Sequence, residues 1–113
     1  MIIVVDTTAT PARVHLDAPD EFTAFAVRAV GIGAATRETF AAAVSRVGRL
    51  TEDGEHVYVQ PAAVKALAGE TASERAWQES FEGMVGYARS KGWVADDGAI
   101  RAHIETVQGG EAS

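Results

Sequence analysis

The stretch GAIRAHIETV, residues 98–107, decides the fold because it satisfies two periods at once. With a period of two, Ile100, Ala102, Ile104 and Thr106 alternate with Arg101, His103, Glu105 and Val107, and Asp97-Gly98 before them is a hairpin signal. With a period of 3.6, Asp97 caps a helix that carries Ile100, Ile104 and Val107 on one face and ends at Gly109-Gly110. The alternation favours the strand, and the helix stays open as the alternative.

Immediately upstream lies TASERAWQESFEGMVGYARSKG, residues 71–92, the longest uninterrupted helical pattern in the chain. Thr71 with Glu74 three residues later matches a capping box, so the helix is expected to start there. Trp77, Phe81, Met84, Val85 and Ala88 fall within one arc of the helical period and are expected in the core. Arg89 and Lys91 occupy the last turn, where cations complement the helix dipole, and Gly92 is the stop. Beside the core arc runs a stripe of mostly small residues, Ala76, Ser80, Gly83 and Tyr87. Gly83 and Gly86 each cost about 1 kcal/mol relative to alanine in a helix interior. The functional reading of that cost is a groove where another element or a second subunit approaches the backbone closely, and the plainer reading is a tolerated weak spot or a kink.

Further upstream, His56-Val57-Tyr58-Val59-Gln60 alternates strictly and reads as a strand, preceded by a turn over residues 51–55. Pro61 opens a short helix with Val64 and Leu67 inward and Gly69 at its end. Near the start of the chain, IIVV at residues 2–5 and RVHL at residues 13–16 are two β-branched, apolar runs that form a plausible hairpin, with Pro11 in the connection. Asp17 then caps an expected helix in which Phe22, Phe25, Ala26, Ala29 and Val30 follow amphipathic spacing up to Gly31. After GIGAAT, residues 31–36, Thr36 caps a second helix with Phe40, Ala43, Val44 and Val47 on one face, closed by Gly48 and Leu50. The two would make a helical hairpin.

These elements predict one α+β domain over residues 1–108, a short and mainly antiparallel sheet packed by three or four amphipathic helices, with a flexible tail at 109–113. At 113 residues the chain is long enough to bury an independent core. It contains no cysteine, which excludes disulfides, thiolate metal sites and a cysteine nucleophile. The first residues lack the basic region and long apolar run of a signal peptide, and no apolar run is long enough to span a membrane, so a cytoplasmic location is expected. Sixteen acidic against ten basic residues give a net charge of −6, which opposes contact with a phosphate backbone or an anionic membrane.

Each candidate for chemistry has a plainer structural reading beside it. Gly31-x-Gly33-x-x-Thr36 before a helix has the outline of a phosphate cradle, but no strand precedes it in this reading, and it is taken as a turn. The serines lie outside any nucleophile elbow, and the carboxylates Glu52, Asp53, Glu55, Asp96 and Asp97 fall in turns that explain them. His15, His56 and His103 form no helical pair of the kind that holds zinc, so no metal site and no cofactor are expected. If the strand of His56 and the strand of His103 are neighbours, their polar faces unite His56, Tyr58, Gln60, Arg101, His103 and Glu105. A histidine beside a carboxylate, a tyrosine donor and an arginine clamp can bind or move protons on a small molecule. A long helix followed by a strand also has the order of a winged helix, which the acidic outer face with Glu79 and Glu82 disfavours. The expected function is therefore a non-catalytic protein-interaction or regulatory module, self-associating through Ala76, Ser80, Gly83 and Tyr87, with no nucleic-acid or membrane partner. The alternative is a small-molecule-binding protein or enzyme built on His56, Tyr58, Arg101, His103 and Glu105.

Overall fold

The computed structural model of the chain describes residues 1–9, 12–22, 25–31 and 37–107. Strands β1 (Ile2–Asp6) and β2 (Arg13–Asp17) pair antiparallel as the expected hairpin. Residues Ala26–Val30 form strand β3 rather than a helix. Helix α1 (Arg37–Val44) leads into strands β4 (Gly48–Leu50) and β5 (His56–Val59), then helix α2 (Pro61–Ala68), a 3-10 turn over Gly69–Ser73, helix α3 (Arg75–Ser90) and strand β6 (Ile100–Val107).

The sheet order is β2-β1-β3-β6-β5-β4. Pairs β1–β3 and β3–β6 are parallel, while β1–β2, β5–β6 and β4–β5 are antiparallel. The sheet is therefore mixed rather than mainly antiparallel, and three α-helices accompany it among the described residues. The reassignment of β3 causes both differences. Phe22, Phe25, Ala26, Ala29 and Val30 fit a helical period, yet Ala26–Val30 lies between β1 and β6 in parallel register, where both flanking partners satisfy its backbone. Ala26–Val30 is only five residues long, and its Ala26, Ala29 and Val30 together with Phe22 and Phe25 also fall on one helical arc, so periodicity alone cannot separate strand from helix. The expected helical hairpin accordingly does not form; Asp17 ends β2, and Gly31 ends β3 with φ +77°. The rest of GIGAAT, with its cap at Thr36, the Pro11 connection and the 109–113 tail lie outside the described residues.

Register defines the two faces. Ile3, Val5, Val27, Ala29, Val57, Val59, Ile100 and Ala102 are buried and share one core with Phe40, Ala43 and Val44 of α1, Val64 of α2, and Trp77, Phe81 and Ala88 of α3. Helix α1 approaches both β1 and β4, which three other strands separate. Four strand spacings in a flat sheet span about 19 Å, whereas eight helical residues extend only about 12 Å, so the sheet curls around the helix. Where it curls, β4 comes so close to β5 that a Cβ on Gly48 would sit 1.8 Å from the Tyr58 carbonyl oxygen.

Helix α3 begins at Arg75, with Glu74 as its N-cap in extended conformation and no side-chain cap bond, so the Thr71–Glu74 capping box is not made. Residue 71 is instead wound into the 3-10 turn, and the Glu74 amide donates to the Thr71 carbonyl. The C-terminus follows expectation: Gly92 has φ +79°, its N–H donates to the Arg89 carbonyl, and the Trp93 N–H donates to the Ala88 carbonyl. This pair of bonds is a Schellman motif, which turns the chain sharply and throws Trp93 back beside the helix. Trp77 and Phe81 stack at 5.0 Å, and the Trp77 indole N–H donates to the Pro19 carbonyl at 2.7 Å.

Candidate functional site

Strand β6 changes partner partway along one edge, and a cavity opens there. One edge is occupied by β5, with Val59 opposite Ile100 and His56 opposite His103. On the other edge β3 begins only at Ala26, opposite His103. Before that point Val94 bridges to Ile100, and the Arg101 N–H donates to the Trp93 carbonyl at 2.8 Å. A cavity of about 280 Å³ lies at this break, lined by Phe22 and Phe25 before β3, Met84, Tyr87 and Ala88 of α3, Trp93, and the β5–β6 residues His56, Ile100, Arg101 and His103.

Among the described residues, Tyr87 and Trp93 are the large apolar side chains left exposed, at 59% and 37%. Both belong to this cavity, where their rings meet edge to face at 6.1 Å, and the Lys91 ammonium lies 5.5 Å from the Tyr87 ring centre. The Schellman turn explains the geometry, because it returns Trp93 next to the last turns of α3.

At the polar end, His56 and His103 are directly opposite, with ring centres 6.0 Å apart. The Ile104 N–H donates to the Glu55 carbonyl, which identifies His56 and His103 as a non-hydrogen-bonded pair. In such pairs the Cα atoms approach to about 4.5 Å and side chains are closest. Among the described residues neither imidazole has a hydrogen-bond partner, and no carboxylate pairs with the Arg101 guanidinium.

The polar constellation expected from the sequence thus forms in part and divides into three groups. His56, Arg101 and His103 line the cavity. Tyr58 is opposite Arg101 in register, but its ring lies under Arg49, whose guanidinium carbon is 4.9 Å from the ring centre. Arg49 also pairs with Asp97 at 2.7 Å, and Gln60 donates to the same carboxylate oxygen at 3.2 Å. The Ala99 backbone N–H, and then the Arg49 side chain, hold the Asp97 carboxyl below its ordinary pKa. Glu105 is drawn away toward Arg28, its neighbour in register on β3, at 3.5 Å. That pair borders a second, more open groove with Val4, His15, Asp17, Val30 and Thr106.

Two features escaped the sequence reading. Phe22 and Phe25 were expected on a helix face, whereas they precede a strand and line the cavity. The turn before β5 also places Asp53, Glu55 and His56 so that one ligand atom from each lies within 4.8 Å of the others. Turn chemistry accounts for part of this: Asp53 Oδ1 accepts from the Thr51 hydroxyl and from the Glu55 N–H at 3.0 Å, and these bonds hold its carboxyl below the usual range. The alternation at His56–Gln60 was the signal that carried this much of the site, since it put His56 on the face opposite Val57.

On α3, the side chains of Ala76, Ser80 and Tyr87 are exposed, as is Gly83. A Cβ built at Gly83 or Gly86 meets nothing within 4 Å. Among the described residues, then, no element uses the close approach that these glycines permit. No described helix is long and apolar enough to cross a membrane. No protein-family model, no curated protein and no solved structure matches this chain.

Proposed function

We propose that the chain is a non-catalytic binding module for a small ring-containing anion, taken into the cavity where β6 changes partner. The observation that carries this reading is the coincidence of Tyr87 and Trp93, exposed together, with Arg101, which no carboxylate pairs among the described residues, at one cavity. Binding sites are typically concave and mostly apolar, with a few polar groups that set orientation. Here Phe22, Phe25, Met84, Tyr87 and Trp93 supply the apolar walls, and Arg101 with the two histidines supplies the polar end. An apolar cavity of about 150 Å³ accepts benzene, so about 280 Å³ suits one or two fused rings with a short acidic substituent.

The test uses 2-naphthoate, a fused ring with one carboxylate, followed by the indole N–H resonances in NMR. Trp93 at the rim should shift saturably, whereas Trp77, buried and bonded to Pro19, should not. Hydrogen bonds to charged groups contribute about 1.5–3 kcal/mol, so Arg101→Gln should weaken binding about tenfold or more. No saturable shift with either 2-naphthoate or benzoate, or a shift that Arg101→Gln and Tyr87→Ala both leave intact, would refute the assignment.

A second reading, self-association through Ala76, Ser80, Gly83 and Tyr87, is supported by the exposure of that stripe and the open space above Gly83 and Gly86. Its test is the oligomeric state of the parent and of the Gly83→Ala, Gly86→Ala double variant, measured by sedimentation.

A further inference from the structure

We infer that His56 and His103, together with a carboxylate from Asp53 or Glu55, form a binding site for a divalent transition-metal ion at the polar end of the cavity. Two independent features of the fold meet here. The first is the cross-strand histidine pair, opposite in register and in the non-hydrogen-bonded position, with ring centres at 6.0 Å. The second is the 51–55 turn, which brings ligand atoms of Asp53 and Glu55 within 4.8 Å of one of His56. His56 belongs to both.

The donor geometry suits an ion of the zinc, nickel or copper type. Imidazole nitrogens bind such ions at about 2.0–2.1 Å, which puts two of them about 3.3 Å apart around a tetrahedral centre. Rings facing across a non-hydrogen-bonded pair reach that separation by side-chain rotation, because their backbones are already as close as a sheet allows. Neither imidazole gives up a hydrogen bond to do so among the described residues. Asp53 keeps Oδ1 for its turn and has Oδ2 to offer, while the Glu55 carboxylate has no hydrogen-bond partner among the described residues. The negative carboxylates also offset the charge of the ion. Two imidazoles and one carboxylate favour first-row transition metals over calcium or magnesium, which prefer all-oxygen shells. Three protein ligands leave a fourth position open, and the two histidines line the cavity.

Sequence spacing hides this site, because His56 and His103 are far apart along the chain and become neighbours only through β5–β6 pairing. It shares the two histidines with the ring-binding reading but is distinguishable from it: Arg101 is no metal ligand, so Arg101→Gln should weaken 2-naphthoate binding without lowering metal affinity.

The experiment titrates untagged full-length protein with Zn2+, Ni2+ and Cu2+ alone, using calorimetry for affinity and the histidine ring-proton NMR resonances for location. The expected result is one equivalent bound, with His56 and His103 resonances perturbed and His15 unmoved. His56→Gln and His103→Gln should each reduce affinity at least tenfold, Asp53→Asn with Glu55→Gln should reduce it further than either alone, and His15→Gln should have no effect. Both histidine variants change partly or fully exposed side chains, and an unchanged amide spectrum will show that they fold. The inference is overturned by absence of binding for all three ions, by affinity that survives either His56→Gln or His103→Gln, or by loss of affinity in His15→Gln, which marks adventitious surface binding.

Discussion

Replacing Gly83 and Gly86 together by alanine tests what the small-residue stripe of α3 is for. Both positions lie in the interior of the 16-residue helix, both have ordinary helical backbone, and an added Cβ meets nothing within 4 Å at either. The change therefore has no steric cost among the described residues. Glycine is about 0.8–1.0 kcal/mol less favourable than alanine in a helix interior, so the double variant should gain about 2 kcal/mol. For a domain of this size 1 kcal/mol corresponds to about 4 °C, which predicts a Tm about 8 °C higher. Urea denaturation and calorimetry at low protein concentration measure the gain, since concentration would add any contribution of association. A double variant no more stable than the parent, or less stable, refutes the reasoning, because the helix backbone at these glycines would then be in contact with something that the methyl groups displace. Sedimentation run alongside separates the two uses of the stripe. If the parent dimerises and the variant is monomeric, the stripe is an interface between copies. If both are monomers and the variant is simply more stable, self-association through this face is ruled out.

Two further outcomes follow from packing and charge. Gly48→Ala should be severe, because its Cβ would sit 1.8 Å from the Tyr58 carbonyl oxygen and 3.0 Å from the Val59 Cα, both backbone atoms that cannot step aside. Overpacking typically costs about 1–3 kcal/mol and here should reach or exceed the upper end; a urea midpoint within error of the parent would show that β4 does not press on β5. Asp97 gives a pH dependence of definite sign. Its pKa is depressed in the folded protein by the Ala99 N–H and by Arg49, so its contribution is present above the unfolded value of about 3.9 and fades as pH falls through the folded value. Asp97→Asn should thus be less stable than the parent at pH 7, with the gap closing as pH falls through the folded value; a gap that stays constant with pH contradicts this account.

Much of the local structure was written in residue order, for identifiable reasons. Strict alternation marked His56–Val59, the proline at N1 opened α2, and Gly92 stopped α3 with the positive φ that favours glycine. The alternation of residues 100–107 resolved correctly as a strand, and with it the opposition of the His56 and His103 strands became possible. The Thr71–Glu74 signal misled by a few residues because a 3-10 turn used the same backbone groups first.

What residue order alone determined is the part governed by neighbours in the chain: the β1–β2 hairpin, the faces of α2 and α3, the two sides of β5, and the absence of any thiol chemistry. What only the tertiary structure decided is governed by distant partners. Strand β3 is a strand because β1 and β6 flank it in parallel register, a non-local pairing that the five residues of Ala26–Val30 cannot announce. The same placement leaves the edge of β6 divided between β3 and the Trp93–Val94 segment, and it is at that division that Phe22, Phe25, Tyr87, Trp93, His56 and His103 come together. Local periodicity sets which side chains leave a face of each element, but the pairing of strands far apart in sequence sets which of those faces meet.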